Sequence, residues 1–141
     1  MRAVLDTNVL VSAILSRGSP PDTVLRAWRQ GAFQFVTSPT LLSELYAVLR
    51  RPRIRDRLGW TEEEIVGFVT TLAETAVVVE PEEELSVVRD EADNRVIEAA
   101  VAGEVDYVVT GDTDLLRLGS FEGVQIVTPA RFAAILATAR P

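Results

Sequence analysis

The side chains able to do chemistry in this chain are carboxylates. Asp6 directly follows the apolar run Ala3-Val4-Leu5. Asp112 and Asp114 stand in the turn Thr110-Gly111-Asp112-Thr113-Asp114, just after Tyr107-Val108-Val109. Asp93 and Glu44 fall within stretches of helical periodicity. Acids gathered without a cation repel one another, and burial shifts their pKa until they protonate. A hard divalent cation resolves that repulsion, and oxygen ligands select Mg2+ or Mn2+ over zinc.

The residues that are missing narrow the chemistry further. The chain has 141 residues, no cysteine and no histidine. Thiolate metal sites, Cys nucleophiles, Ser-His-Asp triads and imidazole ligation are excluded. All 14 basic residues are arginine. A P-loop and a Schiff-base enzyme each need a lysine, as does a receiver domain. A haloacid-dehalogenase-type phosphatase also needs Asp at the third position of its first motif, where this chain has Asn8. Any catalysis must run on carboxylates, hydroxyls, amides, Arg or a metal held by oxygen. A net charge of −7 disfavours binding nucleic acid or membranes through bulk charge. It does not exclude an enzyme whose acids bind cations.

These acids must be held by short β-branched runs alternating with helical stretches. The pattern predicts strands at Ala3–Leu5, Phe33–Thr37, Ala76–Val79, Tyr107–Thr110 and Val124–Val127. Helices are expected over Thr7–Leu15, Pro21–Gln30, from Ser38-Pro39 to about Arg50 with Pro52 ending it, Glu62–Ala73 and Ala92–Ala102. Thr61 and Glu64 form a capping box. Pro129 opens a terminal helix expected to fray near Arg140. This alternation predicts one three-layer α/β domain over 1–141, with a parallel sheet between helices. The first apolar run is too short and too interrupted for a signal peptide or a membrane span, so a cytoplasmic protein is expected.

In such a sheet, ligands bind outside the carboxyl ends of the strands. Asp6, Asp112 and Asp114 fall there. On a helix of 100° per residue, Val96, Ile97, Ala100 and Val101 lie within about 80° of Asp93, so Asp93 shares the buried stripe. Glu98 lies off that stripe and is expected in solvent. Glu44 sits at the margin of the stripe formed by Leu41, Leu42, Leu45, Val48 and Leu49. Each acid alone has a plainer role: Asp6 as a helix cap, Asp112 and Asp114 as turn residues, Asp93 in reciprocal capping with Asp90. Their convergence on one edge favours the metal site.

Four segments resemble the motifs of PIN-domain nucleases, in the order of that family. They are Leu5-Asp6-Thr7-Asn8-Val9-Leu10-Val11-Ser12-Ala13; Ser38-Pro39 to Leu49, with Ser43-Glu44-Leu45; Asp90-Glu91-Ala92-Asp93-Asn94-Arg95; and Val108 to Leu116. The chain is most similar to VapC-type toxins of toxin–antitoxin pairs. The resemblance implies a PIN-like α/β/α domain with sheet order 3-2-1-4-5. It carries the catalytic acids to Asp6, Glu44, Asp93 and Asp112, with metal ligation by Asp6, Asp93, Asp112 and Asp114. Asn8 and Thr110 match polar positions that support the acids. Ala92 departs from a position where a polar residue is frequent. The implied reaction is hydrolysis of RNA with one or two Mg2+ or Mn2+ ions, leaving 5′-phosphate and 3′-hydroxyl ends. The implied partners are a small antitoxin and a second copy of the chain.

Arg50, Arg51, Arg53, Arg55 and Arg57 crowd five arginines into eight residues. They read as an RNA-contacting rim, as a solvated helix end, or as a docking face for an acidic partner. Trp28, Trp60 and Tyr46 read as core or interface residues, and Glu80 to Glu84 as a solvated connection. Val66, Phe68, Val69 and Leu72 serve either the core or dimerisation. A non-catalytic PIN-fold binding module and a structure-selective DNA nuclease are the alternatives to the ribonuclease.

Overall fold

Apolar alternation along the strands decides the layering. In a computed structural model, which describes residues 1–139, β1 (Arg2–Leu5) sends Ala3 and Leu5 to one face and Val4 to the other. The same split recurs in β2 (Gln34–Thr37), through Phe35 against Val36, and in β4 (Tyr107–Val109), through Val109 against Val108. Helices α1 (Thr7–Leu15), α2 (Pro20–Arg29), α3 (Pro39–Leu49), α5 (Glu62–Thr75) and α8 (Pro129–Ala139) cover the first face. Helices α6 (Glu91–Ala102) and α7 (Thr113–Leu118) cover the second. The class is the expected three-layer α/β/α fold.

The sheet order is β3-β2-β1-β4-β6-β5, with β3 at Val77–Val78, β5 at Ser120–Phe121 and β6 at Val124–Val127. β1 pairs in parallel with β2 on one side and with β4 on the other, Leu5 opposite Val109. Successive strands are added outward on one side of β1 and then, from β4, on the other, and this switch in strand order between β1 and β4 opens the crevice where ligands bind.

The expected order 3-2-1-4-5 lacks one strand. β5 forms an antiparallel hairpin with β6. Glu122 and Gly123 make its two-residue turn, at φ 46° and 84°, and positive φ at both positions is the turn geometry such hairpins favour. Two short helices are also additions. Pro52 does not merely end α3; it opens α4 (Pro52–Leu58), because proline fits the first turn of a helix. Gly59, at φ 67°, ends it. α7 begins straight after Asp112 and ends at Gly119. The remaining element ends fall within two residues of expectation, and Arg140 lies outside the described residues.

Candidate active site

Three helix N-termini meet at the carboxyl ends of β1 and β4. Asp6 caps α1, accepting the N–H of Thr7 at 2.8 Å. Asp112 caps α7, accepting from Asp114 N at 2.9 Å and Leu115 N at 3.1 Å. Asp90 caps α6, accepting from Ala92 N at 2.8 Å and Asp93 N at 3.3 Å, which sets Asp93 in the first turn. The partial positive charge of a helix N-terminus favours a carboxylate. Capping is thus the means by which the chain holds several acids together, and the plainer roles coexist with the cluster. Capping between Asp90 and Asp93 runs one way only: Asp93 Oδ2 is buried and has no hydrogen-bond partner.

Carboxylate oxygens of Asp93, Asp112 and Asp114 lie within 4.8 Å of one another. Asp93 is buried, Asp112 half-buried and Asp114 exposed, so the trio opens from the sheet edge toward solvent. Burial, then the charge of Asp112, pushes the Asp93 pKa up to about 7. Asp6 stands outside that trio. Its Oδ2 accepts from the Thr110 hydroxyl at 2.7 Å and from Asn8 Nδ2 at 3.2 Å. Burial raises its pKa, the Thr110 and Thr7 donors pull it back, and the charges of Glu44 and Asp112 push upward again. Thr110 also accepts from Asp112 N at 3.0 Å, and Asn8 Oδ1 accepts from Gly111 N at 3.3 Å. These polar residues tie the first acidic segment to the fourth. Glu44, half-buried on α3, accepts from the Thr7 hydroxyl at 3.1 Å.

The donor set fits a hard cation. It is made of oxygens alone, and the buried, unpartnered Asp93 Oδ2 is a lone pair that burial penalises unless a donor or cation meets it.

Other sequence expectations fare differently. Glu98 is 8% exposed rather than solvated. It accepts from Leu85 N at 2.8 Å and pairs with Arg95 at 2.8 Å, so a strap of irregular chain before α6 covers the face on which it lies. Asn94 had no assigned role. Its Oδ1 accepts from Val87 N and Val88 N, each at 2.9 Å, and its Nδ2 donates to Val88 O at 2.9 Å. The position next to Asp93 was the available signal. The arginines divide: Arg50 pairs with Glu62 at 3.2 Å and lies over the Tyr46 ring, while Arg51, Arg53 and Arg57 are exposed on or beside α4.

A family model described as PIN domain matches residues 2–114. An uncharacterized protein of Methanocaldococcus jannaschii is 31% identical over 118 residues, covering 84% of this chain and 75% of that protein. Among solved structures, a chain of VapBC2 from Rickettsia felis, bound to a DNA fragment from their promoter, superposes with a TM-score of 0.63 at 13% identity. That match covers 91% of this chain and 98% of the other. A chain of VapBC-1 from nontypeable Haemophilus influenzae gives a TM-score of 0.62 at 16% identity, covering 92% of this chain and 98% of that one. At these identities the solved structures are alike in fold.

Proposed function

The chain belongs to the PIN domain family, and from that premise we propose that it is a divalent-metal-dependent endoribonuclease, the toxin of a toxin–antitoxin pair. The observation that carries this reading is the buried Asp93 Oδ2, without a partner beside Asp112 and Asp114. Asp93, Asp112 and Asp114 would hold Mg2+ or Mn2+, with Asp6 completing the set from the end of β1. Bound there, the cation supplies a water of lowered pKa and offsets the charge that develops on the phosphate.

The chain's own residues have distinct tasks in this reading. Thr110 and Asn8 hold the Asp6 carboxylate still through its Oδ2, and Thr7 N–H holds its Oδ1. Asp112 keeps its Oδ1 on the N-terminus of α7 and leaves Oδ2 for the site. Glu44, whose Oε2 accepts from the Thr7 hydroxyl, orients the attacking water. Arg51, Arg53 and Arg57 supply phosphate contacts along the exposed side of α4, since the guanidinium fork suits phosphate oxygens.

Two surfaces support the partner reading. Adjoining hollows that share Arg29 and Phe68 run past Trp28, Leu72, Ile14 and Trp60, an apolar seat with basic rims for an antitoxin segment. A second hollow between α3 and α5, lined by Leu42, Tyr46, Val69 and Ala73, suits contact with another copy. Val66 on α5 is 45% exposed.

The test is cleavage of structured RNAs and single-stranded DNA with Mg2+, with Mn2+ and with EDTA, comparing wild type with Asp93→Asn. RNA cleavage that needs metal and vanishes in the variant is the expected result. Metal binding by a folded protein that cleaves nothing would favour a binding module, and cleavage confined to DNA would favour a DNA nuclease.

A further inference from the structure

Thr7 is buried at the first position of α1, with 7% exposure. Its hydroxyl has no task in its own helix. Asp6 already supplies the cap, and no helical carbonyl precedes Thr7 to take a back-bond. The hydroxyl crosses instead to α3 and donates to Glu44 Oε2 at 3.1 Å, while the Thr7 N–H donates to Asp6 Oδ1 at 2.8 Å. One residue therefore grips carboxylates from two elements.

Glu44 needs that grip. It stands at the half-buried margin of α3 on a long side chain, and an untethered Glu keeps most of its rotamer freedom. Among the described residues, Thr7 is the one hydrogen-bond donor to its carboxylate, and no arginine pairs with it. Left free, a charged side chain would turn to water and away from the other acids. Thr7 brings the Asp6 and Glu44 carboxylates onto one residue, and holding two acids together has a repulsive cost that an attractive contact must offset.

We propose that Thr7 is a positioning residue: its buried hydroxyl fixes the Glu44 carboxylate beside Asp6, and the orientation of the attacking water depends on that tether. The inference rests on the nuclease reading above, in which Glu44 orients that water.

Three variants test it. Thr7→Val keeps the branched shape and removes the hydroxyl, Thr7→Ser keeps the hydroxyl, and Glu44→Ala removes its acceptor. Misplacing a reacting group by an ångström costs on the order of 100-fold, so Thr7→Val should lower kcat by about 10- to 100-fold with KM little changed. Thr7→Ser should restore most of the rate. In the Glu44→Ala background Thr7→Val should cause no further loss, as for two residues acting in one unit. Crystal structures of wild type and Thr7→Val give a readout independent of activity: Glu44 should leave its position in the variant. A wild-type rate in Thr7→Val, a loss that multiplies with Glu44→Ala, or a Glu44 that stays in place would each overturn the tether. If Thr7→Val does not fold, Thr7→Ala takes its place in the same comparisons. A folded wild type that cleaves no RNA would overturn the nuclease reading, and the crystal structures would then decide the tether alone.

Discussion

Thr110 donates its hydroxyl to Asp6 Oδ2 at 2.7 Å, which ties the end of β4 to the end of β1 where the two strands run side by side. Thr110 is fully buried, and its Oγ1 accepts the Asp112 N–H at 3.0 Å. One hydroxyl thus satisfies a buried acid and a backbone donor that would otherwise go unmet. Removing it leaves both without that partner, so Thr110→Val should destabilise the protein by about 1–3 kcal/mol. Thr110→Ser should recover most of the loss. Urea unfolding of the three proteins checks this, and a Thr110→Val protein as stable as wild type would refute it.

The Asp93 carboxyl makes stability depend on pH in an unusual direction. Its pKa in the folded protein, about 7, lies above its ordinary value of 3.8. Between those values the folded state holds more protons than the unfolded state, so stability falls as pH rises through the interval. Burial and the nearby Asp112 charge are the causes of the shift, and at 1.36 kcal/mol per unit the loss is at most about 4 kcal/mol. In EDTA, wild type should weaken relative to Asp93→Asn as pH is raised from 4 to 8, and Mg2+ or Mn2+ should restore wild type alone. Denaturation at several pH values, with and without metal, checks both halves. Parallel pH profiles for the two proteins would refute the assignment.

Where local chemistry and long-range packing agree, the sequence was legible. Ser38-Pro39 and Thr61 with Glu64 mark their helix starts because the caps are local hydrogen bonds, and both form as read. The strands beside Asp6 and Asp112 were legible because short apolar runs stop at polar residues. Pro52 misled because a proline that ends one helix also suits the first turn of the next. Glu98 misled for a different reason. Helical phase placed it off the stripe that meets the sheet, but phase carries no information about a strap of irregular chain from elsewhere. Asp6, Asp93, Asp112 and Asp114 stand out by their places at strand ends and a helix start, whereas Glu44 stands out only at the margin of an apolar stripe. That Asp6 stands outside the closest trio, accepting from Thr7, Asn8 and Thr110, depends on distances that no spacing rule contains.

Gly103 closes α6 against the sheet. A Cβ there would come within 2.5 Å of Val36 Cγ1 and 3.2 Å of Ala99 O. Val36 is fully buried in β2 and has no room to withdraw. The Gly103 φ of −86° is ordinary, so the constraint is space and not backbone conformation. Gly103→Ala should destabilise the fold by about 1–3 kcal/mol, the usual cost of overpacking. Adding Val36→Ala should recover part of that loss, because the clash and the cavity occupy the same place. Thermal unfolding of the single and double variants checks the coupling, and strictly additive losses would refute it.

Arg95 and Glu98 fasten the strap before α6. Arg95 bonds Leu85 O at 3.3 Å and Glu98 Oε2 at 2.8 Å, and Glu98 takes the Leu85 N–H, so two contacts pin Leu85 and a third joins the residues that make them. Glu98 is buried, but the Arg95 side chain is 27% exposed, so water screens part of the pair. Arg95→Met would leave a buried carboxylate with a single backbone donor. The expected cost is about 1–3 kcal/mol, below that of breaking a fully buried pair. Adding Glu98→Gln should recover part of it by removing the stranded charge. Because the strap runs through Val87 and Val88 into Asp90, which caps the turn bearing Asp93, loosening it should also weaken Mn2+ binding. Titration of Mn2+ by electron paramagnetic resonance checks that link. Affinity unchanged in a protein whose strap has become open to hydrogen exchange would show that Asp90 and Asp93 are held by α6 alone.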